Sequence, residues 1–109
     1  MANPAYLVVF ITTSSHEEAR KIAAALVSQR KAACVNIVPK VNSLFRWKGK
    51  IEDAEESLLM VKTRAKLFHE VVKLVKEIHS YEVPEIIALP IVEGNPDYLK
   101  WIDEETAKG

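Results

Sequence analysis

The amino-acid sequence predicts one α+β domain over residues 1–109, a ferredoxin-like β-α-β-β-α-β sandwich with a short C-terminal helix. Three observations predict it. Four runs, Leu7–Ile11, Cys34–Val38, Leu58–Val61 and Ile86–Val92, are apolar with little alternation. Amphipathic helical stretches separate the first run from the second and the third from the fourth. The second and third runs extend toward each other and meet at a Trp47-Lys48-Gly49-Lys50 turn. Successive side chains of a strand point to opposite faces, so unalternating runs belong to strands covered on both sides. Right-handed crossovers put both long helices on one face of the sheet. The other face then needs a cover, and another copy of the same chain supplies one.

The first strand spans about Tyr6 to Thr13. Ser14-Ser15, with Glu17 and Glu18 three residues on, is a doubled capping-box pattern that opens a helix. Ala19, Ile22, Ala23 and Leu26 form its buried stripe. Gln29, Arg30 and Lys31 suit the negative end of its dipole. The second strand starts at Ala33 and runs to Trp47, with Pro39 marking a bulge or an edge. Gly49 supplies a positive φ to the turn. The return strand runs from Ile51 to Thr63, its first half polar. A typical strand has roughly 5–6 residues, so this long hairpin projects past the body and is expected to lie on a neighbouring subunit. The second helix, Ala65 to His79, aligns Leu67, Val71, Leu74, Val75 and Ile78. The fourth strand is Glu85 to Val92. Asn95-Pro96 caps a last helix carrying Tyr98, Leu99, Trp101 and Ile102, and the final residues are expected to fray.

Apolar residues make up 49% of the chain, enough for a real core, and fifteen basic residues cancel fifteen acidic ones. That balance argues against a nucleic-acid binder, which carries a basic excess. No apolar run is long enough for a membrane span. Met1-Ala2-Asn3-Pro4-Ala5 lacks the basic and apolar regions of a secretory signal. A single cysteine, Cys34, excludes an internal disulfide and suits a reducing cytoplasm.

Five segments carry a family resemblance. Ala32-Ala33-Cys34-Val35-Asn36-Ile37-Val38-Pro39 resembles AACVNxxP, and Ser43 to Glu52 resembles a hairpin motif built on W-[KE]-G-K. Leu59-Met60-Val61-Lys62-Thr63, His79 to Ile91 (HPYxxPExxxLP) and Tyr98-Leu99-x-Trp101 complete the set in order. Together they are similar to the CutA divalent-cation tolerance proteins over nearly the whole chain. The resemblance implies a ferredoxin-like homotrimer, usually cytoplasmic, tied to tolerance of copper and other divalent cations. Its architecture is also similar to PII signalling trimers, which hold small ligands between subunits. Ser80 departs from the family pattern, which has proline there, and is expected to loosen the turn. Copper-binding bacterial members carry a cysteine and a second histidine where this chain has Ile11 and Ile78.

The metal candidates are therefore His79, Glu85 and Cys34. A neutral imidazole is a good copper ligand, although a histidine at a helix C-terminus is also favoured by the dipole. Glu85 is near enough in sequence to share a pocket with His79 and Tyr81, completing a metal site or orienting the ring. It equally fits a strand-end pairing with a lysine such as Lys62. Cys34 is a soft candidate for cuprous copper, but its flanks Ala33 and Val35 favour a core residue over a ligand. Lys62 and Tyr81 are candidate ligand-binding groups of an inter-subunit cleft, with Lys62 also readable as a snorkelling edge residue. Asn36 interrupts its strand and needs partners if buried. Trp47 reads as an interface anchor, and His16 and His69 as solvated. No nucleophile elbow, phosphate loop or paired catalytic acids occur, so no enzyme is expected. The expected function is divalent-cation, chiefly copper, binding by a homotrimer, with a PII-like small-ligand sensor or protein scaffold as the alternative. No nucleic-acid or membrane partner is expected, and no cofactor is required for folding.

Overall fold

The structure, a computed structural model, describes residues 4–107. The chain runs β1 (Tyr6–Thr13), α1 (His16–Ser28), β2 (Cys34–Trp47), β3 (Lys50–Arg64), α2 (Phe68–Ile78), β4 (Ile86–Pro90) and α3 (Pro96–Glu105). A 3-10 turn, Ala65–Leu67, leads into α2. The sheet is antiparallel throughout, in the order β2-β3-β1-β4.

Register explains the core. Val35, Val61, Val9 and Ala88 form one row across the sheet, and Ile37, Leu59, Ile11 and Ile86 the next. Apart from Ala88, which is exposed, these rows meet Ala19, Ile22 and Leu26 of α1 and Val71 and Val75 of α2 in one cluster. Ile11, Ile22, Leu26, Leu59 and Val61 are wholly buried. Each such side chain contributes about 1.5–3 kcal/mol relative to exposure.

The alternate rows face the other way. Asn36, Met60, Phe10 and Ile87 share one, and Cys34, Lys62, Val8 and Leu89 another. This face is only half covered: Ile87 and Leu89 are 53% and 50% exposed. The chain exposes 7151 Å², against about 6,100 Å² for a compact monomer of this mass. The excess follows from the open face and from the hairpin, which stretches the molecule to 44 Å along its longest axis.

The hairpin turn has a local cause. Lys48 and Gly49 both adopt positive φ, 52° and 80°, as a tight turn between twisted strands requires. A register shift between Val38 and Val41 marks the bulge at Pro39 and Lys40. Ser15 caps α1, its hydroxyl accepting from the Glu18 amide. The return bond of the box goes from the Ser14 amide, not Ser15, to the Glu18 carboxylate.

Three departures from expectation are the largest, while other strand ends shift by one residue. β4 ends at Pro90, two residues early, because proline stops the ladder and only the Ile91 amide reaches back to Tyr6. α2 proper begins at Phe68, and His79 leaves the helix with an extended backbone. The C-terminal segment does not fray as far as Ala107. Arg30 holds the carbonyls of Glu104 and Glu105, Arg64 binds the Thr106 hydroxyl and the Ala107 carbonyl, and Tyr6 donates to Asp103. Residues 108–109, and Met1 to Asn3 of the N-terminus, lie outside the described residues.

Candidate functional site

The polar residues gather where α2 ends and the chain turns toward β4. His79 is 9% exposed. Its Nε2 lies 2.7 Å from the Thr12 carbonyl oxygen, and its Nδ1 lies 3.0 Å from the Tyr81 amide. A carbonyl only accepts and an amide only donates, so Nε2 carries the proton and Nδ1 offers its lone pair to Tyr81. Both ring nitrogens are thus committed to backbone. The imidazole also packs against the Tyr81 ring at 4.9 Å between centroids.

The loop is anchored at two further points. The Ser80 amide donates to the Glu18 carboxylate at 2.8 Å. A proline at this position would have no amide to donate, so serine tethers the turn to α1 rather than loosening it. Burial pushes the Glu18 carboxyl up, but hydrogen bonds from Ser80 and Ser14 outweigh it and hold the group below its ordinary value. The Tyr81 hydroxyl donates to Glu56 on β3 at 2.9 Å. Burial first, then the bond and repulsion from Glu56, push the Tyr81 hydroxyl up to about 12. Glu56 itself is buried, 7% exposed.

The remaining candidates are dispersed. Glu85 is exposed at the mouth of β4 and makes no hydrogen bond or ion pair among the described residues. Lys62 and Cys34 pair across β3 and β2 at the opposite end of the open face. Cys34 is half-buried there rather than in the core, with Tyr98 beside it. Asn36 is exposed, so it needs no buried partner. Ile11 is sealed in the core and Ile78 packs against it. His16 and His69 are exposed, and Trp47 stands 46% exposed near the hairpin tip. A shallow groove between α1 and the edge strand β2, roughly 240 Å³, is lined by Arg20, Ala23, Val27, Val35 and Ile37 and contains none of the candidates. Among the described residues no three His, Cys, Asp or Glu side chains converge as a ligand set.

Sequence reasoning did not single out Thr12, Glu18 and Glu56 as parts of a site. For Glu56 a signal existed: two-residue periodicity places it on the face of Leu58 and Met60, an acid next to an apolar pair. Thr12 acts through its carbonyl, which no side-chain pattern reveals.

Relatives agree with this architecture. A divalent-cation tolerance protein CutA of Thermus thermophilus is 54% identical over 99 residues, covering 91% of this chain and 96% of the relative. A solved structure of a Thermus thermophilus divalent cation tolerance protein superposes with a TM-score of 0.92 at 52% identity, covering 94% of this chain and 99% of that one. Mouse protein CutA is 45% identical over 97 residues, which make up 89% of this chain, and this chain spans only 55% of its length. The family description of the CutA1 divalent ion tolerance proteins matches residues 7–105, and the chain belongs to that family.

Proposed function

We propose that the protein acts as a homotrimer of the ferredoxin-like plan that binds divalent cations, copper(II) foremost, where copies meet, and that its role is binding rather than catalysis. Membership of a divalent-cation tolerance family is the observation that carries this reading. The half-covered apolar face supports assembly, because a patch of that kind on a monomer is an interaction surface. Within one chain the candidate ligands do not converge, so a cation needs donors from more than one copy. Glu85 is the freest of them. His79 can join only through Nδ1, by exchanging the single Tyr81 amide for the metal, since Nε2 is spent on Thr12. Cys34, at the far end of the same face, is a donor that only a neighbouring copy can bring.

The experiment is copper(II) titration by calorimetry of the wild type, Glu85→Gln and His79→Ala, with mass by light scattering on the same samples. Weaker copper binding in either variant, with a wild-type mass of three chains, is the expected result. Unchanged affinity in both variants removes these ligands, and a single-chain mass removes the cleft. The alternative, a PII-like small-ligand sensor or scaffold, draws on the Tyr81 hydroxyl and the Lys62 ammonium as recognition groups. A thermal-shift screen of nucleotides and metabolites against copper separates the two, because a ligand that prefers the folded state raises the midpoint.

A further inference from the structure

Glu56, a buried acid, and Lys62, a half-buried base, are left by the fold without a counter-ion among the described residues. The Glu56 carboxylate is met by one neutral donor, the Tyr81 hydroxyl. Lys62 is half-buried between Val8 and Cys34 in the sheet register. The two ion pairs present among the described residues, Lys31–Glu70 and Lys40–Glu55, involve neither. A buried charge with no partner is destabilising, and pairing removes that penalty. Both residues lie on β3, where positions 56, 58, 60 and 62 share the face without the two long helices. The strip reads acid, Leu58, Met60, base. Six residues of strand separate its ends by about 20 Å, so the two charges cannot meet within one chain.

A head-to-tail ring removes both deficits with one contact per interface, because the base end of one copy meets the acid end of the next. We propose that Lys62 of each copy supplies the missing cation to the Glu56–Tyr81 pair of its neighbour, so that this site is complete only in the assembly. The proposal rests on the homotrimer reading above. Arg46, Lys48 and Lys50 at the hairpin tip are weaker partners, since all three are exposed and keep their hydration. Phe10 and Val8 of β1 flank the strip, and Ile87 and Leu89 lie one strand beyond them on the same face as exposed apolar surface for the same contact to bury. The pairing makes Lys62 a residue of self-recognition rather than a ligand group. It also couples assembly to the His79 loop, because Tyr81 belongs to both.

The test is a charge exchange. Glu56→Lys and Lys62→Glu are made singly and together, and the trimer fraction is followed by light scattering on dilution, with circular dichroism reporting the fold. Each single reversal sets like charges at every interface and is expected to raise the midpoint concentration of dissociation by at least about tenfold. The double exchange restores opposite charges at every interface and is expected to return to within about threefold of wild type. Where a reversed charge prevents folding, Glu56→Gln and Lys62→Met replace it, and a double variant less impaired than the product of the singles supports the pair. Independent effects in the cycle, with a trimeric wild type, overturn the pairing and leave the ring standing. A single-chain mass for the wild type overturns both. Rescue of Lys62→Glu by Glu85→Lys, but not by Glu56→Lys, overturns the choice of carboxylate.

Discussion

Replacing His79 by alanine separates its structural work from any metal chemistry. The substitution deletes two hydrogen bonds, from Nε2 to Thr12 at 2.7 Å and from the Tyr81 amide to Nδ1 at 3.0 Å. Each contributes about 0.5–1.5 kcal/mol net. The Thr12 carbonyl belongs to a residue only 9% exposed, and an acceptor stranded there costs about 1–3 kcal/mol. The Tyr81 amide lies in an exposed loop and regains water, so it adds little. Lost ring packing against Tyr81 adds about 0.5 kcal/mol or more. The expected loss is about 3 kcal/mol, read by urea unfolding with a chelator present and the chain concentration fixed. A loss below about 0.5 kcal/mol would refute the reasoning, because it would mean that the two bonds are not made in solution.

Other perturbations follow from the same site and core. Glu18 is held below its ordinary value of 4.5 in the folded protein, so its contribution is complete above that pH and fades as pH falls through the depressed folded value. Glu18→Gln should flatten acid unfolding in that window, and an unchanged acid limb would contradict the Ser80 tether. Tyr81 is raised from 10.0 to about 12, so its contribution is complete below its ordinary value and declines as pH climbs toward the folded one. Absorbance titration of the phenolate, compared between wild type and Glu56→Gln, should show the Tyr81 transition moving down when the carboxylate is removed. Ser80→Pro removes the backbone amide that bonds Glu18. It should cost about 1 kcal/mol in chemical denaturation, and a gain in stability would show that backbone restriction outweighs the bond. Leu59→Ala, at a wholly buried central-strand position, should cost about 2–5 kcal/mol, and a small change would mean that the site collapses around the cavity.

Local pieces of this protein were legible before any folding. Ser15 and Glu18, Asn95 and Pro96, and Lys48 with Gly49 act within a few residues of themselves, so spacing reveals a cap or a turn. Apolar runs likewise show that the strands are shielded, since two-residue periodicity reports which faces meet water. The family could also be read, because its motifs are short and consecutive. What the site does depends on packing between distant segments. Thr12, Glu18, Glu56 and His79 come together across up to 67 positions of sequence, by a register that local pattern does not encode. That register spends both imidazole nitrogens on backbone, gives Ser80 a carboxylate to hold, and leaves Glu56 and Lys62 at opposite ends of one strip. Periodicity fixes which way a side chain points; the packed arrangement of distant elements fixes what it meets there.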